Sequence, residues 1–123
     1  MYALRQPKLV IAALAVSAAA LGPYVYARAQ GPQPREIEVR GDHFAFTPSQ
    51  IDVQKDELVK VTFTAVDMPH SFTLEGYRIA KRAGAGQSVV FEFRADRPGE
   101  FGFYCNLAQD DRCRQMKGRL VVR

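Results

Sequence analysis

Three residues able to do soft-ligand chemistry fall within twelve positions of this 123-residue chain: Cys105, Cys113 and Met116. Cys105 and Cys113 are the chain's two cysteines. In the run Phe101-Gly102-Phe103-Tyr104-Cys105 the residues Phe101, Phe103 and Cys105 alternate, so on an extended strand they point to one face. The two aromatics mark that face as the core side and send the Cys105 thiol inward at the strand's end. A polar loop over residues 106–112 returns through Cys113 and Met116 to a closing strand over residues 119–122. Soft sulfur donors gathered at a strand end fit Cu(I), Cu(II) or Zn. Two thiols that reach each other outside the cytoplasm fit a disulfide instead, and both readings stay open on the residues alone.

Positioning these groups takes a β framework, and the chain spells one out. Ile37 and Val39 alternate with Glu36, Glu38 and Arg40, and Gly41-Asp42 reads as a turn. Ile51 and Val53 alternate again. Val59, Val61, Phe63 and Ala65 against Lys60, Thr62 and Thr64 give the longest strand signal. Asp67-Met68-Pro69 is a loop, because Pro69 cannot donate a ladder hydrogen bond. It delivers His70 to a strand whose His70, Phe72 and Leu74 share a face. Residues 77–82 fit either a strand or an irregular connection. Val89, Phe91 and Phe93 mark a further strand, and Arg97-Pro98-Gly99-Glu100 turns into the cysteine segment. No helical period persists after residue 29, so the expectation is an all-β, antiparallel sandwich or barrel of seven or eight strands.

The N-terminus has a different character. Arg5 and Lys8 precede an apolar run over residues 9–21, Gly22-Pro23 breaks it, and Ala27-Arg28-Ala29 has the A-x-A form of a cleavage site. That is the layout of a secretory signal peptide. Extended through residue 27, the run also approaches the ~20 residues that span a bilayer, so a membrane anchor is the alternative. The expected division is a leader at 1–29, a proline-stiffened linker at 30–34 and one domain at 35–123, exported to the periplasm or beyond, with a possible membrane tether through residues 9–27. Removing the leader's three basic residues from the 17 in the chain leaves 14 against 13 acidic ones. A formal charge near +1 gives no reason to expect a nucleic-acid binder.

Four ordered segments together resemble the cupredoxin family: Phe44-x-Phe46-x-Pro48-x-x-Ile51-x-Val53-x-Lys55, Asp67-x-x-His70-Ser71-Phe72, Pro98-Gly99-x-Phe101-x-Phe103-Tyr104-Cys105 and Met116-Lys117-Gly118-x-Leu120-Val121-Val122. The resemblance implies a Greek-key β-sandwich and a copper ion held by two His, one Cys and a weak Met. The second His is missing here. The dinuclear copper domain of respiratory oxidases has the pattern C-x3-C-x3-H-x2-M. Laid from Cys105, its second Cys falls on Gln109, its His on Cys113 and its Met on Met116. The loop length is kept, the bridging thiolate is absent, and Cys stands where His is expected. The implied ligand set is therefore mononuclear: His70, Cys105, Cys113 and Met116.

Each of these residues also has a plainer role. His70 can be a core-edge histidine satisfied by a carbonyl, Met116 a packing residue, and Cys105 with Cys113 a disulfide staple. His43 and Gln109 read as solvent-facing. Arg112, Arg114 and Lys117 ring the site with charge, as a solvated rim or as a docking surface for an acidic redox or copper-exchange partner. With no Ser-His-acid order and no paired-carboxylate motif, the expectation is a monomeric domain that is not an enzyme. It either binds one copper ion for electron transfer or copper handling, or serves as a metal-free module held by the disulfide.

Overall fold

A computed structural model describes Gly31 and residues 33–123. The leader expected over residues 1–29 lies outside the described residues. Nine strands form two sheets: β1 (Arg35–Asp42), β2 (Ala45–Thr47), β3 (Gln50–Val53), β4 (Leu58–Ala65), β5 (His70–Leu74), β6 (Ile79–Ala83), β7 (Ser88–Arg94), β8 (Gly99–Tyr104) and β9 (Lys117–Val122). A 3-10 turn, Cys113–Gln115, sits between β8 and β9. One sheet has the order β2-β1-β4-β7 and the other β3-β9-β8-β5-β6.

The alternation in the sequence becomes the packing between the sheets. On β4 the buried and half-buried positions alternate without a break, and Val59, Val61, Phe63 and Ala65 are fully covered. From the facing sheet come Ile51, Val53, Phe72, Leu74, Phe103, Leu120 and Val122. Phe72 sits at the centre of an aromatic cluster. Its ring stacks on Phe103 at 4.7 Å and meets Phe91, Phe63 and Phe46 at 5.4, 5.9 and 6.0 Å. Phenylalanine thus supplies the bulk that tryptophan, absent from this chain, would otherwise provide. Each such ring contributes roughly 1.5–3 kcal/mol of hydrophobic burial.

Three features depart from expectation, and one open reading is decided. The sheets are mixed rather than antiparallel, because β1 pairs parallel with β4 and β3 pairs parallel with β9. Among the described residues the strands number nine rather than seven or eight. The chain turns at His43 and Phe44, both at positive φ, two residues later than the Gly41-Asp42 turn read from composition. Residues 77–82 resolve into a turn followed by β6, an edge strand whose Ala80, Lys81 and Arg82 are exposed. An edge strand with three exposed residues in a row prints no alternation, and charge on such an edge guards it against stray pairing.

Candidate metal centre

β5 and β8 run side by side in one sheet, with Thr73 opposite Tyr104 and Leu74 opposite Phe103. Continuing that register brings the start of β5 beside the end of β8, where His70 and Cys105 lie. Both are fully buried. The Ser71 backbone N–H donates to Cys105 Sγ at 3.4 Å, so the residue after the histidine touches the sulfur directly. Ser71 is buried too, at 2% exposure. Its hydroxyl donates to Asn106 Oδ1 at 2.6 Å and accepts from the Asn106 backbone N–H at 2.8 Å. This two-way lock ties the residue after His70 to the residue after Cys105.

The other two sulfurs come from the loop between β8 and β9. Residues 110–116 coil through the 3-10 turn with successive i to i+3 backbone hydrogen bonds, which rolls Cys113 and Met116 inward together. They are 3% and 1% exposed. The Met116 carbonyl accepts from the Cys105 backbone N–H at 3.3 Å. Cys105 and Cys113, eight residues apart, are joined as a disulfide with a Cα–Cα distance of 5.2 Å. All four sequence-derived ligand candidates therefore lie buried in one end of the sandwich, and two of them are bonded to each other.

His70 is held by a contact that the sequence reading did not single out. Its ring Nε2 lies at hydrogen-bonding distance, 2.7 Å, from Asp67 Oδ1, while Nδ1 is buried with no hydrogen-bond partner. Asp67 is itself fixed, since Oδ1 accepts from the Met68 N–H at 3.0 Å and Oδ2 from the His43 N–H at 3.1 Å. Burial pulls the Asp67 carboxyl upward, but the hydrogen bonds from His70, from the His43 backbone and from its own backbone outweigh it. Its pKa falls below the ordinary carboxylate value. The signal available in the sequence was the spacing alone, an acid three residues before a histidine.

Over His70 lies Phe44, edge-on at 5.9 Å, and over Phe44 lies the Arg112 guanidinium, 4.3 Å from the ring centre. Arg112 also grips Asp110 through two side-chain contacts at 2.8 and 3.1 Å. That pairing lowers the Asp110 pKa and raises that of Arg112. Arg112 is thus engaged within its own loop. Arg114 and Lys117 are exposed and line a cleft of about 370 Å³ with Glu75, Tyr104 and Gly118. Gln109 is exposed in the loop and His43 projects into solvent. His43 lies near Asp42 and Asp67, as a surface grouping of one imidazole and two carboxylates.

The donor chemistry fits a soft metal in the reduced protein. A buried imidazole nitrogen without a hydrogen-bond partner is unusual in a folded protein. The two cysteine sulfurs become available as thiolate donors once the disulfide is opened, and the buried Met116 carries a thioether at the same end of the sandwich.

A family model described as cupredoxin-like domain matches residues 9–122, and the chain belongs to that family. Two curated relatives, both cytochrome c oxidase subunit 2 from Thermus thermophilus, are 27% identical over 93 residues, which is 76% of this chain. The aligned stretch spans 69% of one relative and 55% of the other. Among solved structures, auracyanin A, a blue copper protein from Chloroflexus aurantiacus, superposes with a TM-score of 0.63 at 18% identity, over 74% of this chain and 100% of that one. The metal-binding domain of a Streptococcus pneumoniae Cu(I)-exporting P-type ATPase, solved with Cu(I), matches with a TM-score of 0.60 at 20% identity, over 72% of this chain and 84% of that one. At these identities the superpositions establish the fold. Among the described residues no helix is long and apolar enough to cross a membrane.

Proposed function

We propose that this is an exported copper protein that holds one copper ion through His70, Cys105, Cys113 and Met116 when its cysteines are reduced, for one-electron transfer or copper handling. The observation that carries the reading is the buried His70 Nδ1 without a partner, one residue from the N–H that contacts Cys105 Sγ. A bound copper would supply the redox couple. The chain supplies two thiolates, one imidazole and one thioether in a water-excluded end of the sandwich. Two thiolates make this set softer than a site with two imidazoles, which favours Cu(I) and lowers the reduction potential. The family relationship supports a copper-related role, and the relatives include an oxidase subunit and a Cu(I)-exporting ATPase domain. A redox or copper-exchange protein is the fitting partner, docking at the exposed Arg114 and Lys117 beside the site. Export through residues 1–29, with cleavage or tethering, completes the reading.

The disulfide favours a second reading, a metal-free cupredoxin-like module stapled between Cys105 and Cys113. A thiol count followed by Cu(I) titration separates the two. The expected result is one Cu(I) per chain after reduction and none in the disulfide form. Reduced protein with two free thiols that takes up no copper leaves only the stapled module.

A further inference from the structure

We propose that Asp67 is a positioning residue for the metal centre: its carboxylate takes the Nε2 proton of His70, fixes the ring in one tautomer, and so keeps Nδ1 free as a donor. This deepens the copper reading and rests on it for the identity of the ligand. The tautomer itself is a property of the metal-free chain.

The observations run in one direction. A neutral imidazole carries one N–H and one lone pair, and the partner of one nitrogen decides which is which. Here Nε2 lies 2.7 Å from Asp67 Oδ1, and a carboxylate can only accept, so Nε2 carries the proton. Nδ1 then has a lone pair and no N–H to satisfy, which suits a buried atom with no partner. Were the proton on Nδ1, a donor would be stranded in the interior and two acceptors would face each other across 2.7 Å. Both are costly. The carboxylate cannot easily swing away, because the backbone N–H groups of His43 and Met68 hold its two oxygens. Phe44 packs edge-on to the imidazole and limits its rotation. A histidine that gives its outer N–H to a fixed carboxylate is oriented and made more basic as a ligand.

The test is a long-range proton–nitrogen correlation spectrum of the nitrogen-15-labelled, metal-free protein, with His43→Gln to separate the two histidines. His70 is expected as the Nε2–H tautomer. In Asp67→Ala the signals should shift to a mixture of tautomers, and Cu(I) affinity of the reduced protein should fall by about 10–100-fold, the usual cost of removing such a partner. In Asp67→Asn the amide oxygen still accepts from Nε2, while the amide nitrogen meets the His43 N–H poorly. That variant should keep the tautomer and recover most of the affinity. Should Asp67→Ala fail to fold, the wild-type tautomer and the Asn variant still decide the matter. A wild-type His70 protonated on Nδ1, or an Asp67→Ala protein with unchanged tautomer or affinity, overturns the proposal. Absence of Cu(I) uptake by the reduced wild type instead defeats the ligand set, and the metal-free spectra still report whether Asp67 fixes the ring.

Discussion

Cys113 occupies the position where the related oxidase pattern has histidine, and this one side chain separates two chemistries. As cysteine it can close on Cys105. As histidine it could not, and a set of two imidazoles, one thiolate and one thioether would remain. Cys113→His is therefore expected to bind Cu(II) and show a thiolate-to-copper absorption band in the visible, because His70, Cys105 and Met116 are all buried at that end of the sandwich. A colourless protein after Cu(II) titration would mean that these three side chains do not converge on one ion. The four ligand candidates could be named from residue type and family spacing. The Asp67 contact and the Ser71–Asn106 lock could not be read the same way. They depend on which rotamers meet when β5 and β8 lie side by side, and short polar side chains in a sequence carry no mark of their partners.

At the level of elements, β8 and β9 approach closely where Phe103 crosses Gly118, its register partner. A methyl group built on Gly118 would run into the Phe103 ring and come within 2.7 Å of the Ser49 carbonyl oxygen. Phe103 is pinned by its stack on Phe72, and a backbone carbonyl cannot step aside, so neither neighbour can give cheaply. Gly118→Ala is expected to cost about 1–3 kcal/mol, read as a lower denaturant midpoint with an unchanged slope. A variant as stable as wild type would show that β8 and β9 can part there. The strands themselves were legible to very different degrees. β4 announced itself because it is buried on one face only, which writes a period of two into the sequence. β6 did not, since its exposed edge residues are under no such constraint. The parallel pairs β1–β4 and β3–β9 were also hidden. Alternation tells which face a strand buries, not which neighbour it takes or in which direction.

For the whole molecule, the disulfide joins β8 to the turn before β9, and on the proposed function a bound metal takes over that join once the cysteines are reduced. Opening a loop of this size should cost roughly 2–3 kcal/mol in the chain-entropy model. A ligand at a hundred times its Kd restores about 2.7 kcal/mol. Thermal unfolding of the domain should accordingly shift down by on the order of 10 °C or more when the protein is reduced, and return most of the way when Cu(I) is added. No drop on reduction would show that the bond contributes little, and no recovery with Cu(I) would remove copper as its replacement. Fold class and the mixed-sheet sandwich follow from burial spread over all nine strands, which is why they survive even a low sequence identity to auracyanin A.

His70 and Cys105 are anchored by strands, whereas Cys113 and Met116 arrive on a short connecting segment around the 3-10 turn. Within that segment, residues 106–112 contribute none of the fully buried bulk of the hydrophobic interior. Framework and connector are thus under unequal constraint. Asn106 and Arg112 are tied to Ser71 and Phe44, so the latitude for change is concentrated at the exposed side chains of Ala108, Gln109 and Asp111.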